Sequence, residues 1–91
     1  EIEAALLAAL PERMGALLDI GTGTGRLLEL AAPRAGRALG VDMSRDMLAL
    51  ARARLAERGL ADRAAVRQAD MYRLPFADAA FDAVALQMVL H

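Results

Sequence analysis

The residues best suited to chemistry lie close together in Leu17-Leu18-Asp19-Ile20-Gly21-Thr22-Gly23-Thr24-Gly25. An apolar run ends in three alternating glycines, and Arg26-Leu27-Leu28-Glu29-Leu30 then reads as a helix. Glycine lets the backbone turn tightly and come close to a ligand, so this pattern opens a nucleotide-type strand–loop–helix unit. The spacing is G-x-G-x-G. In a dinucleotide fingerprint, G-x-G-x-x-G, the last glycine would stand where this chain has Arg26. Asp19, two residues before the first glycine, would repel a pyrophosphate and attract an ammonium or sulfonium group. The loop Gly21-Thr22-Gly23-Thr24-Gly25 with Asp19 therefore suits a cationic nucleoside. Asp42 follows the loop by about twenty residues, the spacing at which a carboxylate meets the hydroxyls of a ribose bound against the first helix. NAD-binding proteins use the same device, so Asp42 indicates a nucleoside without choosing one.

These residues need elements to hold them. Ile2, Leu6, Leu7 and Leu10 recur at helical spacing within Glu1 to Leu10, and Pro11 closes that helix. A first strand is expected over Ala16 to Ile20, and the helix after the loop over Arg26 to Ala32, cut by Pro33. Arg34 to Gly36 read as a turn and Arg37 to Val41 as a second strand. Ser44 is placed to cap a helix with Met47, Leu48, Ala51 and Leu55 on its buried face, Arg45, Arg52, Glu57 and Arg58 in solvent, and Gly59 as its stop. Ala64 to Gln68 form a third strand, Asp70 to Ala80 an irregular connection, and Phe81 to Met88 a fourth, nearly continuously apolar strand. The order implies a Rossmann-like doubly wound parallel α/β sheet, with the first strand central, the fourth beside it, and the ligand at the carboxyl ends of the strands.

Composition narrows the class. Ninety-one residues make one small domain, short for a doubly wound fold, whose usual size is about 100 to 150 residues. The charge of -1 comes from eleven arginines, scattered along the chain, against twelve acids. That balance asks for neither nucleic acid nor an anionic membrane as partner. The absence of cysteine excludes disulfides and thiolate metal sites, and a single histidine leaves a metal short of its usual ligands. No apolar stretch reaches membrane-spanning length, so a cytoplasmic protein is expected.

At Asp19 to Gly25 the sequence resembles the class I S-adenosylmethionine-dependent methyltransferases, whose first motif is an acidic residue followed closely by G-x-G-x-G. Asp70-Met71 is similar to that family's aspartate and apolar residue after the third strand, and Leu74-Pro75-Phe76 leading to Phe81-Asp82 is similar to its run before the fourth. The resemblance implies S-adenosylmethionine as cofactor and transfer of its methyl group to an acceptor, more readily a small molecule than a polymer. Asp42 would then take the ribose, and Met43 would lie against the adenine. The Asp70 carboxylate would accept from the adenine amine while the Met71 N–H donates to a ring nitrogen. Gln87 and His91, at the end of the fourth strand, would lie near the methyl group. Asp82 is expected to be a structural hydrogen-bonding residue at a strand start.

The family's domain continues through further elements, so residues 1–91 are expected to be the cofactor-binding half of one domain, with strand four left as an exposed apolar edge. Two other readings stand beside this one. A nicotinamide dinucleotide-binding oxidoreductase module shares Asp42 but is opposed by Arg26, Asp19 and the Phe76 to Asp82 run. A non-catalytic domain that binds S-adenosylmethionine for regulation is the other.

Overall fold

The computed structural model describes residues 2–74 and 80–86. Within them α1 (Ile2–Ala9), β1 (Met14–Ile20), α2 (Arg26–Ala31), β2 (Ala35–Asp42), α3 (Arg45–Glu57), β3 (Ala64–Gln68) and β4 (Ala83–Leu86) follow one another. The four strands form one parallel sheet in the order β3-β2-β1-β4, the arrangement expected from the sequence. Pro75, Phe76, Asp78, Gln87 and His91 lie outside the described residues.

Register explains the core. Leu17 pairs with Ala38 on one side and Ala83 on the other, and Asp19 with Gly40 and Ala85. Because side chains alternate across a strand, these residues share one face of the sheet. On it Leu17, Ala38 and Ala85 pack with Leu27, Leu28 and Ala31 of α2 and Leu48, Ala51 and Leu55 of α3. The helix face expected for α3 thus holds at Leu48, Ala51 and Leu55. Met47 departs from it, at 42% exposure, because it lies in the first turn, beside the Ser44 cap and outside the buried stripe. The cap itself is formed: the Met47 N–H donates to Ser44 Oγ at 3.2 Å. Gly59, with φ of +69°, follows the end of the helix.

Strands β1 and β2 begin two residues earlier than expected, at Met14 and Ala35, which pair with each other. Pairing overrides the turn signal at Gly36. Pro33 sits in a single 3-10 turn, Ala32–Arg34, that follows α2 directly, where its missing N–H costs little. Strand β4 is not buried throughout: Ala85 is covered, but Val84 and Leu86 are 56% and 53% exposed. Among the described residues β4 pairs only with β1 and stands at one end of the sheet. At its start the Ala16 N–H donates to Asp82 Oδ2 at 2.8 Å, and the Asp82 N–H to the Ala16 carbonyl at 2.9 Å, the structural role expected of Asp82. Among the described residues no helix is long and apolar enough to cross a membrane.

One glycine in the sheet is required by a close approach. A Cβ on Gly40 would stand 2.5 Å from Thr22 Oγ1 and 2.6 Å from Leu28 Cδ1, because the loop after β1 folds directly over β2. Gly40→Ala is therefore expected to destabilise the chain by about 1 to 3 kcal/mol, the usual cost of overpacking. Urea denaturation of the two proteins checks it.

Candidate functional site

The loop Gly21 to Gly25 is tied to the carboxyl end of β2. The N–H groups of Gly21 and Thr22 both donate to the Val41 carbonyl at 2.9 Å, and the Gly25 N–H donates to the Thr22 carbonyl at 2.9 Å. Gly21, Gly23 and Gly25 have φ of +75°, +55° and +80°. This left-handed region is one that residues with a Cβ rarely enter. Gly23 and Gly25 have different surroundings. Among the described residues, a Cβ on Gly23 would meet nothing within 4 Å, so the backbone there borders open space. A Cβ on Gly25 would come within 3.0 Å of the Ala51 Cβ, so Gly25 is the point at which α2 packs on α3.

That contrast gives Gly25 a packing role of its own. It is buried, and its missing side chain permits helix packing, the task that the dinucleotide fingerprint gives to its last glycine. Asp19 is buried as well. It has no accessible surface, and Thr22 Oγ1 donates to its Oδ2 at 2.9 Å. Thr22 is also buried. The pair supports the loop from behind.

Asp42 joins the loop to the next helix. Its Oδ2 accepts from the Gly23 N–H and its Oδ1 from the Ser44 N–H, each at 2.9 Å. An ionised carboxylate offers about four lone-pair sites, so both oxygens keep capacity for a further donor. The Asp42 carbonyl accepts from the Ala69 N–H at 3.1 Å, which brings the end of β3 alongside. There Met43, Gln68, Ala69 and Asp70 line a cavity of about 360 Å³. Met43 is 54% exposed, free to meet a ligand and not a core methionine. Asp70 Oδ1 accepts from the Tyr72 N–H at 2.9 Å, which turns the chain after β3 and leaves Met71 half-buried.

The fold thus brings Gly23, Asp42, Met43 and Asp70 to the carboxyl ends of three adjacent strands. Gln68 escaped the sequence reading. Its Nε2 donates to the Met43 carbonyl at 3.1 Å, and its Oε1 accepts from Arg45 Nε at 3.1 Å. A polar residue ending a short strand was the available signal. Among the described residues no group of acidic residues or histidines could hold a metal ion.

Behind the loop, α2 and α3 are joined by charge. Glu29 Oε2 lies 3.0 Å from an Arg54 guanidinium nitrogen and Oε1 2.6 Å from Arg58 Nε. The Arg54 hydrogen bond holds the Glu29 carboxyl below the usual carboxylate range, against the opposing effect of partial burial, and the Arg58 charge adds to the lowering. Because the folded value is depressed, the stabilisation is present above the ordinary carboxylate value and is lost as pH falls through the depressed one. The stability advantage of the native chain over Glu29→Gln should therefore be about 1 kcal/mol or less near neutrality and shrink toward zero in acid. Urea midpoints taken from neutral to acidic pH measure it.

The chain is similar to known proteins in sequence and in fold. Residues 17–91 match the family model described as a methyltransferase domain. A demethylmenaquinone methyltransferase of Thermus thermophilus is 44% identical over 72 residues, covering 77% of this chain and 32% of its own. A phosphatidylethanolamine N-methyltransferase of Cereibacter sphaeroides is 42% identical over 72 residues, 79% of this chain and 35% of its own. Among solved structures, an RNA methyltransferase from Salinibacter ruber in complex with S-adenosyl-L-homocysteine superposes with a TM-score of 0.80 at 28% identity, covering 93% of this chain and 56% of that one. The chain belongs to the methyltransferase domain family. It spans about a third of the length of these two relatives.

Proposed function

We propose that this chain forms the S-adenosylmethionine-binding part of a methyltransferase. The observation that carries the reading is the open space over Gly23, beside an Asp42 carboxylate that already holds the Gly23 N–H. A backbone without a side chain, next to a partly exposed acid at the end of β2, fits the ribose and amino-acid portions of an adenosyl amino acid. The cofactor would supply a methyl group already activated by a positively charged sulfur.

The chain's own residues then bind and orient. Gly21 and Gly23 let the ligand lie against the loop, and Thr22 with Asp19 keeps that loop in shape. Asp42 accepts from the ribose hydroxyls. Met43 offers an apolar surface to the adenine, the Asp70 carboxylate accepts from its amine, and the Met71 N–H donates to a ring nitrogen. Gln87 is assigned to the methionine end of the ligand. Orientation in a dry pocket is the main contribution a protein makes to displacement at an activated methyl carbon. The acceptor is proposed to be a small molecule, a choice supported by the names of the phosphatidylethanolamine and demethylmenaquinone enzymes among the relatives.

Calorimetry of the full natural chain with S-adenosylmethionine, S-adenosylhomocysteine and NADH tests the cofactor. Binding of the first two and not of NADH is expected, and a preference for NADH overturns the reading. Transfer of label from methyl-labelled cofactor into a metabolite extract distinguishes an enzyme from a sensor of the same ligand.

A further inference from the structure

The glycine loop is braced at two points by the same helix. At its middle, the Gly23 N–H is held by Asp42, which also binds the Ser44 N–H at the start of α3. At its end, Gly25 packs on Ala51 in the middle of α3. The Gly25 carbonyl accepts from the Glu29 N–H at 2.9 Å, and the Glu29 carboxylate is gripped by Arg54 and Arg58 toward the far end of α3. Loop, α2, ion pairs and α3 therefore form a closed ring, and Thr24 lines the same cavity as Glu29, Arg54 and Arg58.

The contact at Gly25 and Ala51 fixes the distance between the two helices, and Leu27, Leu28 and Ala31 bury the inner face of α2 against the sheet and α3. Glu29 lies four residues beyond Gly25, one turn away, and its two arginines tie that turn to α3 by charge. α2 has only six residues and a glycine as its N-cap, with no side-chain cap hydrogen bond, so its first turn depends on this packing and on the Glu29 ion pairs. We propose that Glu29 is a positioning residue for the cofactor loop, acting through Arg54 and Arg58 to set the pitch of α2 and with it the backbone of Gly23 to Gly25. The inference rests on the cofactor reading above, and it assigns Glu29 no contact with the ligand.

The test is performed on the full natural chain, at a temperature where circular dichroism shows every variant folded. Glu29→Gln should weaken S-adenosylhomocysteine binding about fivefold, within the range found when a supporting residue that does not touch the ligand is changed. It should also speed amide hydrogen exchange at Gly23 and Gly25 while leaving Leu48 and Ala51 unchanged. Glu57→Gln removes the same charge from an exposed position lining the same cavity and should change neither quantity. If Glu29→Gln does not fold, Arg58→Gln, at a side chain 66% exposed, should produce a smaller shift of the same kind. Native binding with unaltered affinity and loop exchange in the variants refutes the positioning role alone. Failure of the native chain to bind refutes the cofactor reading instead.

Discussion

Gly23→Val is expected to weaken S-adenosylhomocysteine binding by about a hundredfold or more, equivalent to about 3 kcal/mol. Two features of the loop produce that effect. The valine side chain would project into the open space over the loop, where no atom of the described residues beyond its chain neighbours lies within 4 Å of its Cβ, so it should obstruct the ligand. Its φ of +55° also opposes a β-branched residue, at a cost of about 1 to 3 kcal/mol of backbone strain. The variant should consequently melt somewhat earlier, whereas its binding defect should far exceed that of Gly23→Ala, which carries much of the strain with less of the obstruction. Calorimetry and thermal denaturation of both variants separate strain from obstruction. Native affinity in Gly23→Val would remove the loop from the site.

The second large effect is expected at Asp42. Asp42→Ala should weaken the cofactor by about 1 to 3 kcal/mol, the range for hydrogen bonds to a charged group, which is about fivefold to a hundredfold in affinity. The structure adds an internal contribution. The alanine leaves the Gly23 and Ser44 N–H groups without the acceptor each has in the native chain, so the loop and the start of α3 loosen together. Asp42→Asn keeps one acceptor oxygen and should fall between the two. Unchanged affinity in the alanine variant would count against the ribose role.

Strand β3 runs from Ala64 to Gln68, the span expected from the sequence, and the central place of β1 follows from the order of the elements. Residues at the strand beginnings were harder to read, because Gly15 and Gly36 look like turn residues until the pairing of β1 with β2 fixes them. Asp42, Met43 and Asp70 stand together at the carboxyl ends of β2 and β3. Asp19 and Gly25 stand in the same motif but on the hidden side of the loop, and a spacing rule carries no information about which side of a turn each residue faces. Gly40 and the joining of Glu29 to Arg54 and Arg58 depend on how closely one element rests on another. Only packing in three dimensions reveals distances of that kind.

A crystal structure of the full natural chain with S-adenosylhomocysteine tests the central claim most directly. The ribose hydroxyls should lie within hydrogen-bond distance of the Asp42 carboxylate, the amino-acid portion should rest over Gly21 to Gly23, and the adenine should lie between Met43 and Asp70. A nucleoside docked elsewhere, with the space over Gly23 left empty, would contradict it.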